Sequence, residues 1–337
     1  MINKKAKWVL WGGLLILLAF LPKLIGPYFT NVFIHFAIFA LYAVSFNLLL
    51  GYTGLFSFGH AMFFGTGGFA TALALVHIKG CSLLVALFMG FFAPVALALI
   101  LCPIVSRVSG TAFAMLHLAF SMLIYTLALK LRNITNGEDG VSGFPVPALN
   151  IPGVVSFDMK DTTNFYYFAV AVIGISLWLL WFFTKTPVGQ IMVSIRDNAK
   201  RVAYMGFKVS RTKAMIYAIS AGFAGIAGAV LALFQDVIAP DLAFGPGTSF
   251  QVILITMVGG VGSFFGPIWG SAIFTLLREF TSRYIKQVEV LMGIILIVVM
   301  LYFPKGFAGL VALIGSKVFG QSPERKPAET EDDQCKQ

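Results

Sequence analysis

Charge is what this sequence has least of. Only 11% of its 337 residues are Asp, Glu, Lys or Arg, against 58% hydrophobic residues and a mean hydropathy of +0.89. A soluble globule of this length needs about a quarter of its residues charged to cover its surface, so a soluble fold is excluded and a polytopic membrane protein is expected. Cysteine is scarce: Cys81, Cys102 and Cys335 form no CxxC pair, which argues against a metal site or a disulfide framework. No P-loop occurs, since the nearest approach, at 309–317, has the wrong glycine spacing and no Lys directly after the glycine. HExxH, GxSxG and a plausible carboxylate cluster are missing too, so neither an enzyme nor a bound cofactor is expected. No apolar run holds a charge pair suited to a proton or sodium relay, which disfavours secondary transport. Any ATP, with its Mg, would be hydrolysed on a partner subunit.

The apolar runs suggest an all-α protein with eight to ten transmembrane helices. They lie at 8–21, 28–50, 55–76, 82–104, 111–131, 165–183, 214–234, 250–264, 268–277 and 290–303, and those around 250–277 are short or broken by glycine. The first follows Lys4, Lys5 and Lys7 but lacks a small-residue cleavage site, so it reads as an uncleaved helix. Ten spans place both termini and residues 184–213 in the cytoplasm and residues 132–164 outside. Sixteen of the 24 Lys and Arg then lie inside, as the positive-inside rule requires. The net charge of +10 is thereby explained without a nucleic-acid partner.

Residues 184–213 organise the rest. They carry Lys185, Arg196, Lys200, Arg201, Lys208, Arg211 and Lys213 against one acid, Asp197. At about 2.5 to 3.5 kcal/mol for each base at mid-bilayer, this stretch stays out of hydrocarbon. Thr186 before Pro187 starts one short helix, Asp197 or Asn198 caps a second over 199–205, Gly206 ends it, and Ser210 caps the next span. Ala199, Val202 and Ala203 fall on one face of the second helix. Two readings stand: a loop that only sets topology, and a docking surface for a soluble partner.

Glycine is abundant in two interior stretches, 51–68 and 259–270. Irregular backbone at membrane depth is tolerated where it is buried in protein or lines a watery cavity, and small residues also permit close helix packing. The first stretch holds Ser57 and His60; Asn47, His117 and His35 are the other isolated polar residues within spans. Asn47, Ser57, His60 and His117 are candidates for a translocation pathway, the alternative being neutral side chains bonded to backbone. The outer segment 132–164 is rich in fixed turns, at Asn136-Gly137, Asp139-Gly140 and Pro152-Gly153, and reads as an ordered docking loop. The tail at 321–337 has the composition of a disordered segment, leaving 1–320 as the membrane domain.

The runs FNLLLGYTGLFSFGHAMFFG at 46–65, GTAFAMLHLAF at 110–120, TNGEDGVSGFP at 135–145 and GGVGSFFGP at 259–267, with Arg196, Asp197 and Asn198 leading to Gly206 between them, resemble the branched-chain amino-acid ABC transporter permeases. The similarity is to the M-type subunit of the leucine/isoleucine/valine system and covers residues 40–310. It implies an importer-type fold in a bacterial inner membrane, with a second homologous permease, two ATPase subunits and a periplasmic binding protein as partners. It also implies that Arg196, Asp197, Asn198, Lys200, Arg201, Val202, Ala203 and Gly206 form the ATPase-coupling segment, and that Asn136, Gly137, Glu138 and Asp139 meet the binding protein. Two features depart from the family pattern. Lys200, Arg201 and Val202 stand where importers carry EAA, and Thr135-Asn136-Gly137 replaces the usual Thr-Gly-Gly. Related permeases serve urea, short amides and aromatic acids, and a stand-alone channel or carrier for such a polar solute is the alternative class; an intramembrane enzyme is a third.

The topology predicts that an Asp139→Cys variant reacts with a membrane-impermeant thiol reagent in intact cells. Reaction only after lysis would reverse the orientation.

Overall fold

Helix α1 (Lys4–Thr53) is 50 residues long but is two helices in effect, because Gly26, between Pro22 and Pro27, adopts φ 80°, ψ 170° and turns the chain. The computed structural model describes residues 4–282 except 79, 109, 149–158 and 160, together with 290, 293 and 294; before Gly26 it describes side chains only at Pro22. Helices follow as α2 (Ala61–His77), α3 (Leu83–Val105), α4 (Thr111–Lys130), α5 (Arg132–Thr135), α6 (Thr162–Lys185), α7 (Pro187–Tyr204), α8 (Val209–Gln235), α9 (Pro240–Phe244), α10 (Pro246–Gly259) and α11 (Gly266–Ser282). Among the described residues, six helical segments are long and apolar enough to cross a membrane: Gly26–Thr53, Leu83–Val105, Thr111–Lys130, Thr162–Lys185, Val209–Gln235 and Pro240–Gly259, the last joining α9 to α10.

Several expected spans change. The span at 55–76 begins only at Ala61, because residues 54–60 leave the helix after Gly54 at φ 71°. The span at 250–264 ends at Gly259, since Gly260 and Gly262 both take positive φ. The span at 268–277 extends to Ser282 and carries Arg278 and Glu279 on the helix. The run at 8–21 lies on helical backbone, while that at 290–303 and the tail at 321–337 fall mostly or wholly outside the described residues.

The bundle is layered around α8. The apolar windows of α8 and of the second half of α1 are 89% and 78% buried, against 28% for each of α3, α4 and α6. The apolar outer faces of those three suit lipid, which needs no polar cover. α8 packs against α2, α3 and α1, and α1 also meets α6 and α11. Gly67 and Gly68 of α2 face Gly225 and Gly228 of α8, and a Cβ on Gly228 would collide with the Phe64 carbonyl. The glycines of this first rich stretch at 65, 67 and 68 are thus helical: Gly67 and Gly68 serve close packing on the α8 backbone, and Gly65 makes room for the Phe244 ring. Gly259 and Gly270 do the same between α10 and α11.

A 27-residue helix is about 40 Å long, so α8 separates two ends of the bundle. One end holds α7. The other holds a two-stranded antiparallel ribbon, β1 (Val141–Ser142) with β2 (Val237–Ile238), which ties the loop after α4 to the loop after α8.

Packing makes a contrast testable. Gly228→Ala is expected to lower the thermal stability of the detergent-purified protein, with about 1 to 3 kcal/mol lost to overpacking. Gly174→Ala on α6, where a Cβ meets nothing within 4 Å, is expected to be neutral. Equal melting of the two variants would show that α2 and α8 are not in this contact.

Candidate functional site

At the α7 end, a long amphipathic helix replaces the expected pair of short ones only in name. Asn198 leaves the helix (φ −158°, ψ 94°), dividing α7 into two parts. The Asn198 side-chain oxygen accepts a bond from the Arg201 N–H at 3.0 Å, capping the second part, and Gly206 ends it at φ 87°. Thr186 stands at the N-cap with Pro187 next, but its hydroxyl donates back to Phe183 O. Ser210 is not a cap: α8 begins at Val209 with Lys208 at the N-cap.

The expected face is also redistributed. Val202 is 3% exposed and packs into this chain, so it presents no surface to a partner, while Ala203 is exposed. Beside it stand Tyr204, 90% exposed, and the exposed Met205 and Phe207; the first two lie off the helical spacing of Ala199, Val202 and Ala203, and Phe207 follows Gly206. Lys200 and Arg201 are exposed, and Arg196 and Asp197 pair at 3.3 Å.

Arg196 joins this segment to the bundle. Its Nη1 donates to Gly51 O at 2.6 Å, at the end of α1, and its stem lies against Gly54. Gly51 in turn abuts Gly262. Asn47 clasps the same place from inside: its Nδ2 donates to Ser263 O at 2.9 Å and its Oδ1 accepts from Gly262 N at 3.1 Å. Both irregular stretches, 54–60 and 260–265, therefore meet under α7.

Deeper in the bundle, His60 and His117 come together among α1, α2, α4 and α8. Ser45 Oγ lies 3.1 Å from His60 Nε2, and His117 Nε2 and Tyr217 OH share a 2.6 Å bond. Tyr42 stacks on His60, and Phe63 stands edge-on to His60, His117 and Tyr217. Tyr42 OH, Ser57 Oγ, His60 Nδ1, His117 Nδ1 and Ser121 Oγ are buried without a bonding partner among the described residues. Asn47, Ser57, His60 and His117 are each no more than 1% exposed, so all four candidates are sealed within this one chain.

At the ribbon end, Asn136 takes the left-handed conformation (φ 59°) and Gly137 opens a single 3-10 turn to Asp139. Thr135 Oγ1 donates to Ala128 O, and Gly140 lies against the backbone of Ile238 and Ala239. Gly137 is buried; Asn136, Glu138 and Asp139 are exposed. Beside this ribbon a cavity of about 320 Å³ opens among α1, α2, α8, α9, α10 and α11, with His35, Gln235, Gln251, Thr275, Arg278 and Glu279 on its wall. Of these only His35 stood out in the sequence, as a polar residue near the end of a span. Arg278 and Glu279, directly after an apolar run, were the available signal, hidden by ending that span at Leu277. Among the described residues no group of His, Cys, Asp or Glu is arranged to hold a metal.

This is the architecture of a polytopic all-α membrane protein with an ordered polar segment at each end. The chain belongs to the family described as "Branched-chain amino acid transport system / permease component", whose profile matches residues 28–302. It is a transport subunit and not an enzyme. It is 26% identical to the high-affinity branched-chain amino acid transport system permease protein LivM of Salmonella typhimurium over 288 residues, 80% of this chain and 67% of that one. It is 25% identical to the LivH permease protein of Escherichia coli K12 over 80% of this chain and 91% of that one. A probable LivM of Methanocaldococcus jannaschii is 22% identical over 78% and 84% of the two chains. No solved structure matches the chain.

Asn47→Leu is expected to strand the half-buried Gly262 N and Ser263 O, at about 1 kcal/mol for each lost bond. Hydrogen exchange at 260–266 should then accelerate. Unchanged protection there would deny Asn47 this clasping role.

Proposed function

We propose that this chain is one of two homologous permease subunits in an ATP-driven importer of the bacterial inner membrane. It passes a branched-chain or related hydrophobic amino acid from a periplasmic binding protein to the cytoplasm. Two ATPase subunits supply the energy. Family membership carries the reading, and similarity to both LivM and LivH proteins supports a paired permease. Eight to ten spans cross the bilayer, both termini are cytoplasmic, and α7 faces the ATPases.

In this reading the second part of α7, Asn198 to Gly206, is the pushing element. A soluble ATPase moves membrane helices only through a stiff contact, and this one is capped at Asn198 and bonded to the bundle through Arg196. Ala203, Tyr204 and Met205 offer the apolar patch, while Lys200 and Arg201 at its rim steer more than they bind. A push on α7 reaches Gly51, and from there Asn47 and the 260–265 turn. The orphaned polar atoms around His60 and His117 support assigning Ser57, His60 and His117 to a pathway that is closed in this conformation. The exposed Glu138 and Asp139, in the 3-10 turn just before the ribbon, support docking of the binding protein at the opposite end.

Reconstitution with both partner permease and ATPases tests the reading. Leucine uptake should require ATP and the binding protein; ATP-independent uptake would favour a stand-alone carrier. Ala203→Glu, which places an unpaired carboxylate in the ATPase contact, should uncouple hydrolysis from uptake or detach the ATPase, at a cost of a few kcal/mol. Lys200→Ala should do much less. Normal transport by Ala203→Glu would remove α7 as the coupling element.

A further inference from the structure

The cavity at the ribbon end is used by nothing described so far. Its volume, about 320 Å³, sits at the low end of the range for small-molecule sites, roughly 300 to 1,000 Å³. One part of its wall is apolar: Val32, Phe39, Phe64 and Phe274. The other carries Gln251, Thr275, Arg278 and Glu279. Gln251 Nε2 and Thr275 Oγ1 are buried without a partner among the described residues, donors left unspent at a cavity wall.

The two charges are more telling. Arg278 and Glu279 are neighbours on α11, yet the one ion pair among the described residues is Arg196 with Asp197. Opposite charges beside an apolar wall gain most by binding a partner that carries both complements. Glu279 accepts a bond from the Tyr28 hydroxyl, which fixes its orientation and leaves acceptor capacity over.

We propose that this cavity is a recognition site within the permease for a small zwitterion with an apolar side chain. Arg278 takes the carboxylate, aided by the Gln251 amide and the Thr275 hydroxyl; Glu279 takes the ammonium; the phenylalanines take the side chain. A substrate-selecting step thus lies in the membrane subunit itself, at the end of the bundle opposite α7. Urea and neutral amides, without the charge pair, are refused. The proposal deepens the importer reading and rests on it for the identity of the transported class.

The test uses the whole transporter in vesicles, with Thr248→Cys at the cavity wall as reporter and Cys81, Cys102 and Cys335 changed to Ser. L-leucine is expected to slow modification of the reporter by an impermeant thiol reagent. Isopentylamine, 4-methyl-2-oxopentanoate and urea, each lacking at least one charge, should not. Adding Arg278→Gln or Glu279→Gln should raise the leucine concentration for half-protection at least about tenfold. Failure of leucine, alanine and phenylalanine alike to protect, or equal protection in the charge variants, overturns the site. ATP-driven leucine uptake, measured in parallel, reads the importer separately: uptake without protection removes only the cavity, and protection without ATP-driven uptake removes only the importer.

Discussion

Hydrocarbon offers no water, so every backbone N–H and C=O that leaves a helix there must find a partner inside the protein. This chain breaks its helices twice within the bundle, at 54–60 and at 260–265, and the polar side chains of the spans answer those breaks. Asn47 takes both a donor and an acceptor of the second. Arg196 reaches in from α7 for Gly51 O, and Ser249 Oγ accepts from Ala61 N where α2 resumes. Ser220 Oγ and Ser271 Oγ donate across helices to Ser45 O and Phe36 O. Leaving any one buried group unmade costs about 1 to 3 kcal/mol, so these side chains hold the breaks in one arrangement.

Close approach of the central helices follows from the same constraint. Between helices in lipid the hydrophobic effect supplies little, and packing must supply the rest. Gly67, Gly225 and Gly228 let α2 and α8 meet backbone to backbone, which brings Phe63, His60 and Tyr217 into one aromatic cluster with His117. The sealed polar cluster exists because the glycines allow it.

The two ends are then mechanically distinct. Under α7, the ends of α1 and the 260–265 turn converge on Arg196, so displacement of α7 bears on both breaks together. At the far end, the β1–β2 ribbon and the turn at Asn136 form a rim beside the cavity that Arg278 and Glu279 line. Between the two ends run α1 and α8, whose apolar windows are the most buried of the candidate spans.

Composition and periodicity alone determined the class of protein, the positions of most apolar helices and the cap grammar of α7, because hydropathy, Pro187, Asn198 and Gly206 act through local energetics. The motif blocks determined the family for the same reason: they are long and in order. Tertiary structure decided the rest. Asn47 reads in sequence as a polar residue that could line a path, yet its amide is spent on residues more than two hundred positions away. Val202 reads as a surface residue of an amphipathic helix, yet it is buried against the rest of this chain. The cavity takes its wall from helices distant in sequence, and Gln251 or Thr275 stands out only once the fold leaves it without a partner among the described residues. Local periodicity carries no information about such meetings; only the fold, which closes around glycines and backbone breaks, brings those groups together.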